Sequence, residues 1–346
     1  NKFTVARVNQ ELPSRSSLGF MYVGRDGDGS HLVTPDEDKN HTYSIDGRLG
    51  IGENFMLEGW LAKTSTPGLE GRDEAFSAKA IYNSSEWLNR FEYGQVGEDF
   101  NPEVGFLKRS NYRRMSALIL KRIRPKNTWG LLEVRPHISY TGFWDFDGFH
   151  ETGFLHIDNH WEFRNGYRVD TGVNFTREGV QTAFDIIDGV TIQPGTYDHH
   201  EAQIRFNTDK SDPLSLSSVT YIGGRFGGNR IAIKSSIIYR VGESFRSELI
   251  YNYNKFDLPV DGGQFNANLT QLRLSYAFTP KILLQALVQH NQVDDTVGTN
   301  LRFSWLQTAN SGFFLVYNEV DERGITANPR GKEVIFKYSH IFDVLN

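Results

Sequence analysis

His156, Asp158, His160 and Glu162 recur at every second position of one stretch, with Asn159, Trp161 and Phe163 on the other parity. Imidazoles and carboxylates ligate several metals, and histidine is the side chain that moves protons near neutral pH. On a β-strand alternate residues share a face, so all four would point the same way. Residues i and i+4 of a strand stand ~13 Å apart, too far for His156 and His160 to share an ion from one backbone alone. A neighbouring strand would have to contribute, and Glu133, Arg135 and His137 alternate in the same way upstream. The favoured reading is a solvated network of His137, His156, Asp158, His160, Glu162, Glu133 and Arg135, with its charges paired and no metal bound.

A second concentration of charge lies at 97–110, where Glu98, Asp99 and Glu103 stand beside Phe100, Val104, Phe106 and Leu107. Arg109, Arg113, Arg114, Lys121, Arg122 and Arg124 follow. A loop with that many apolar residues must bury some of them. Folded inward, it would set an acidic strip against a basic wall, an arrangement that selects by charge and diameter. The residues of this expected constriction are Glu98, Asp99, Glu103, Arg109, Arg113, Arg114 and Arg122. The alternative is a loop packed on its neighbours, with the arginines serving the rim or lipid head groups. Other chemistry is weakly signalled. Gly24–Gly29 and Asp145–Gly148 begin like calcium loops but lack the later acidic ligand. No Gly-x-Ser-x-Gly elbow and no phosphate-cradling glycine loop is present, so no catalytic residue and no cofactor are assigned.

The elements that must position these residues are strands. Tyr43, Ile45, Leu49 and Ile51 alternate with Thr42, Ser44, Asp46 and Arg48; Val169, Val173 and Phe175 alternate with Arg168, Asp170 and Asn174. The same period runs through 133–141, 231–241 and 245–254, and no helical period exceeds two turns. The 346 residues include no Cys, which excludes a disulfide scaffold and any Cys-ligated metal. A net charge of −5 gives no general grip on nucleic acid. No apolar run is long enough for a transmembrane helix, but a transmembrane barrel needs none, because only every second residue meets lipid.

Roughly nineteen segments of about ten residues can be counted, the length of a tilted membrane-crossing strand. They begin near residues 2, 16, 40, 54, 74, 86, 111, 128, 149, 166, 198, 213, 229, 244, 264, 281, 299, 311 and 330. Connections alternate between short (52–54, 83–86, 164–166, 242–244, 279–280) and long (24–39, 65–73, 97–110, 178–197, 321–329). Short turns on one rim and long loops on the other describe a bacterial outer-membrane barrel. Aromatics near strand ends, such as Tyr43, Trp87, Trp161, Trp305 and Tyr338, would form its interface girdles. A soluble sandwich, propeller or β-helix also alternates, but does not explain paired opposite charges on the polar face. The expected fold is therefore all-β: one large antiparallel up-and-down transmembrane barrel over 1–346, in the outer membrane, in contact with lipid and lipopolysaccharide.

Several stretches carry a more specific resemblance. They include Ala6–Leu12, Tyr82–Leu88, Phe100–Leu107, His156–Phe163, Val173–Gly179, Phe245–Leu249, Leu301–Trp305 and Val316–Val320. Together the chain resembles the uncharacterised outer-membrane barrel domain that follows a family-nine carbohydrate-binding-type module in many Gram-negative bacterial proteins. That resemblance implies a periplasmic module and further strands ahead of the equivalent of Asn1. It carries no established activity.

Three functions follow as expectations: a pore or transporter for small polar solutes, with saccharides suggested by the companion module; a plugged barrel anchoring a periplasmic or outer-membrane protein partner; and, least supported, an outer-membrane hydrolase. Gly331, Val334 and Phe336 resemble a barrel-assembly signal at the final strand. Nineteen strands would place the two ends on opposite rims, whereas bacterial single-chain barrels usually have even numbers. A further strand, preceding Asn1 or from another chain, is therefore expected.

Overall fold

In the computed structural model, the structure describes residues 1–29, 38–308, 311–322 and 331–340. The first rows of the sheet are β1 (Lys2–Leu12), β2 (Ser16–Asp26), β3 (Lys39–Ile51), β4 (Phe55–Ser65), β5 (Glu74–Asn83), β6 (Trp87–Val96) and β7 (Tyr112–Lys121). Next come β8 (Leu131–Trp144), β9 (His150–Phe163) and β10 (Arg168–Val180), then a small separate hairpin, β11 (Phe184–Ile187) with β12 (Val190–Ile192). The sheet resumes with β13 (Gly195–Asn207), β14 (Leu214–Arg225), β15 (Gly228–Val241) and β16 (Phe245–Asp257). It ends with β17 (Gln264–Asn266), β18 (Leu269–Thr279), β19 (Ile282–Asn291), β20 (Thr296–Thr308), β21 (Ser311–Glu322) and β22 (Gly331–His340).

Successive long strands pair antiparallel with their sequence neighbours throughout, an up-and-down meander. Short β17 and long β18 both pair with β16, end to end, so the sheet is nineteen strands wide. Each segment expected from the period appears within three residues of its expected start, except that 264 opens β17 and β18 follows at 269. The tight turns use the same chemistry twice. Gly52-Glu53-Asn54 and Gly242-Glu243-Ser244 each precede a Phe, and both glycines sit at φ 57°. That conformation costs an L-residue with a Cβ, which is why glycine leads both turns. Among the described residues several connections depart from the alternation: 122–130 is long on the short-turn rim, while 145–149, Phe226-Gly227 and 292–295 are short on the long-loop rim. The expected long loop at 321–329 lies almost wholly outside the described residues.

The two faces differ as the period requires. Asn40, Thr42, Thr64, Glu133, Asp158, Asp170, Asn174, Glu201 and Gln203 are all buried and share one face. Leu18, Phe20, Ile45, Leu61, Ile157, Val173, Ile204 and Ile222 lie on the other and are exposed. A sheet that buries its polar side chains and exposes its aliphatic ones is curled around the polar face, with the apolar face turned to lipid. Nineteen antiparallel rows leave β1 and β22 running the same way. Among the described residues β1 pairs only with β2, and β22 only with β21. A strand bridging those two edges would have to run antiparallel to both.

Candidate functional site

The polar stretch on β9 meets its neighbours in a fixed register. His137 lies directly across from Asp158, and Arg135 from His160; on the far side Asp158 faces Gly172 and His160 faces Asp170. Gly172 leaves room there: a Cβ at that position would stand 3.0 Å from the Asp158 side chain. The imidazoles of His156 and His160 both lean toward Asp158, with Nε2 3.2 and 3.4 Å from its Oδ2. The His137 ring closes the group, with centroids 4.7 Å from His160 and 5.2 Å from His156. The Asp158 carboxylate is only 1% exposed, so it is enclosed by three rings rather than solvated. The backbone spacing that kept His156 and His160 apart is correct, but both side chains converge on the residue between them.

Arginine ladders flank this cluster. Arg135 bonds Glu133 and Glu162, the latter at 2.8 Å, and Arg124 reaches Glu133 at 2.8 Å. Arg168 makes two bonds to Asp170, at 2.6 and 2.9 Å, and Arg205 approaches the same carboxylate at 3.8 Å. Buried Asn174 links His156, at 2.6 Å, to Glu201, which Arg230 meets at 2.6 Å. All seven expected network residues thus lie on one inner wall, in one connected set of contacts. Asp170, Arg168, Asn174 and Glu201 join them. Their period on β10 and β13 carried the same signal as β9.

The loop 97–110 folds back across the inner face. Phe100 is buried against Ala62, Ala75 and Val96, all inward positions of β4, β5 and β6, with Leu107 and Tyr112 beside it. Polar anchors run along the same path. The Asn101 N–H donates to Thr64 Oγ1 at 3.1 Å, and Asn40 Nδ2 donates to the Asn101 carbonyl at 2.7 Å. Glu103 reaches Arg25 on β2 at 2.5 Å, and Arg25 also holds Asp38 at 2.6 Å. The Arg25 guanidinium, with the Gly29 N–H, keeps the Asp38 carboxyl below its usual range. Val104 and Phe106 stay exposed, so only part of the loop's apolar surface is covered.

The expected constriction is assembled in part. Glu98 lies 3.8 Å from Arg72, and the Asp99 N–H donates to the Arg72 carbonyl, so the loop's acidic start is tied to the 66–73 connection. Arg109 pairs with Glu151, and Arg114 with Glu92 on the inner wall at 2.6 Å. Arg113 takes the opposite parity and lies over the Phe146 ring, 4.8 Å away, rather than facing the loop. Arg122 belongs elsewhere. It donates to Asn83 and to the Ser84 carbonyl on the short-turn rim, because the whole length of β7 separates it from the loop.

A second inward cap was not foreseen. The β11–β12 hairpin packs Ile192 and Ile186 with Val180, Tyr197, Phe226, Leu258 and Phe265, an apolar cluster on the same rim. Below the caps, a concave stretch of wall carries Arg7, Asp46, Glu58, Trp60, Lys79 and Glu92. Arg7 forks onto Asp46, Lys79 meets Glu58 at 2.8 Å, and Trp60 is 42% exposed among them.

No family model and no curated protein matches the chain. Solved structures do. The chain is similar to the ferric enterobactin receptor PfeA (G324V mutant) of Pseudomonas aeruginosa, with TM-score 0.56 and 9% identity over 97% of this chain and 69% of that one. Weaker likenesses are to the ferric-catecholate import receptor Fiu of E. coli K12, with TM-score 0.46 and 7% identity over 92% and 68%, and to OmpF of Salmonella typhi, with TM-score 0.42 and 13% identity over 85% and 91%. The first likeness shows the fold. The chain is a large antiparallel up-and-down β-barrel of the outer-membrane kind.

Proposed function

We propose that the protein is an outer-membrane conduit for small polar solutes, acting by passage rather than by catalysis. The observation that carries this reading is the inner wall. It is continuously polar and ion-paired from Arg7 and Asp46 on β1 and β3 to Glu201 and Arg230 on β13 and β15. Such a wall can replace the hydration of a polar solute while the outer face stays apolar. The caps at 97–110 and at β11–β12 narrow one mouth and set what enters. Opposite charges alternate along the wall, so neither cations nor anions are favoured overall, and neutral polyols fit best. Saccharides are the finer reading. Trp60 offers a ring face flanked by Arg7, Asp46, Glu58 and Lys79, which supply hydrogen-bond donors and acceptors to hydroxyl groups. The resemblance to a barrel that accompanies carbohydrate-binding-type modules supports the same class. Swelling of proteoliposomes in sugars of rising size tests the proposal. Entry of mono- and disaccharides with a size cut-off is expected, slowed or abolished by W60A for the larger sugars. Vesicles that admit no sugar would overturn it.

A further inference from the structure

Each carboxylate on the β8–β10 wall has an arginine, except one. Glu133 has Arg124 and Arg135, Glu162 has Arg135, and Asp170 has Arg168. Among the described residues no Lys or Arg lies within ion-pair distance of Asp158. Its partners are the imidazoles of His156 and His160 and the Asn159 N–H at 2.6 Å. A carboxylate this enclosed needs a positive charge close by.

We propose that His137, Asp158 and His160 form a binding site for a divalent transition-metal ion on the lumen wall, with His156 placed as a fourth donor. The ligand atoms of the first three lie within 4.8 Å of one another. The 3.4 Å from Asp158 Oδ2 to His160 Nε2 equals the donor–donor edge of about 3.4 Å that ~2.1 Å bonds give in a tetrahedron. His137 and Asp158 are direct cross-strand partners, so side-chain rotation alone closes the remaining distance.

The ring orientations fit this use. His137 Nδ1 lies 3.2 Å from the Arg135 carbonyl, which can only accept, so Nδ1 carries the hydrogen and Nε2 presents a lone pair. His156 Nδ1 lies 2.6 Å from Asn174 Oδ1, and the Asn174 amide is oriented by donating Nδ2 to Glu201. With Nδ1 engaged by Asn174, His156 Nε2 is the nitrogen left facing a carboxylate oxygen at 3.2 Å, a gap that either a proton on Nε2 or a bound metal ion bridges. Metal-bound histidines are fixed by such outer partners on the second nitrogen. His160 differs, because Arg168 Nη2 stands 3.2 Å from its Nδ1. Without the ion the proton sits on Nε2 toward Asp158. When the ion binds, Nε2 gives up that proton to solvent and Nδ1 takes one from solvent, so His160 releases no net proton. Two N–H donors then face each other, so the Nδ1–Arg168 contact opens as the ring turns toward the ion, while Arg168 keeps its two bonds to Asp170. Imidazole with carboxylate suits zinc, copper or nickel, whereas calcium and magnesium want oxygen ligands throughout.

The test is metal content. The purified protein in detergent micelles is stripped with chelator, loaded with Zn²⁺, passed through gel filtration and assayed for bound zinc. One zinc per barrel is expected, undisturbed by equimolar Ca²⁺ and by H290A. H137A and D158N should each weaken retention at least about tenfold, since even outer-sphere changes cost 10–100-fold. Should D158N fail to fold, shown by loss of its heat-modifiable band, H137Q/H160Q keeps Asp158 in place and carries the same expectation. No retained zinc, or retention indifferent to these substitutions, would overturn the proposal.

Discussion

At the residue scale, parity decides everything on this wall. Ile157 and Asp158 are chain neighbours, yet Ile157 is 46% exposed toward lipid while Asp158 is enclosed by three rings. A lysine at Ile157 should therefore cost about 2–4 kcal/mol near the bilayer midplane, read as lowered stability in urea unfolding from lipid vesicles. Parity was legible in the sequence, and so were the seven wall residues it selects. What could not be read was the convergence of imidazoles on Asp158, because side-chain direction and cross-strand register are set by pairing with β8 and β10, not by spacing on β9. Register also explains Arg113. It has the charge expected of the wall but the parity of the lipid face, and it settles over Phe146. Asp38 sets a pH dependence. Its folded pKa lies below the ordinary value of 3.8, held there by Arg25. Its stabilising contribution is complete above that value and is lost as pH falls through the depressed one. Hydrogen exchange around 97–110 and 38–41 should be slow and flat down to about pH 4 and accelerate below it, beyond the intrinsic rate change. R25Q should abolish that step.

At the element scale the strands were readable because ten-residue alternation is long enough to be distinct from chance. The β11–β12 hairpin was not. Strands of four and three residues carry almost no period, and this pair is held by the apolar cluster around Ile192 and Phe226 instead. The loop 97–110 was partly legible: its apolar residues demanded burial, and Phe100 found it on the inner face. Its exposed Phe106 and Val104 show that composition alone overstates how much of a loop packs. Removing Glu98–Glu103 would leave Arg25 with Asp38 as its one carboxylate partner among the described residues and uncover Ala62, Ala75 and Val96. The expected result is a wider entrance, measured as faster uptake of larger sugars into proteoliposomes with the strands intact by circular dichroism. At the short-turn rim, a Cβ at Gly242 would meet nothing within 4 Å, so G242A isolates the backbone cost of φ 57°. A loss of about 1–2 kcal/mol is expected in the same unfolding assay.

Across the whole molecule, the polar inner wall, the apolar outer face and the two caps at one mouth belong together only if the barrel encloses water. A wall of paired charges sealed from water would demand that every donor and acceptor be met by protein, yet Arg7, Asp46 and Arg48 keep about 35–42% of their side-chain surface. Total sequence composition, with its balanced charge and lack of long apolar runs, pointed away from helices in a membrane and left the barrel as the architecture that reconciles both faces. Planar-bilayer recording of the folded protein shows whether the lumen conducts. Steady, discrete current steps with weak ion selectivity are expected, reduced by added oligosaccharide in the wild type and less so in W60A. A protein that is folded and inserted, shown by heat-modifiable migration and protease protection, but electrically silent would contradict a conducting lumen and leave a plugged structural barrel in its place.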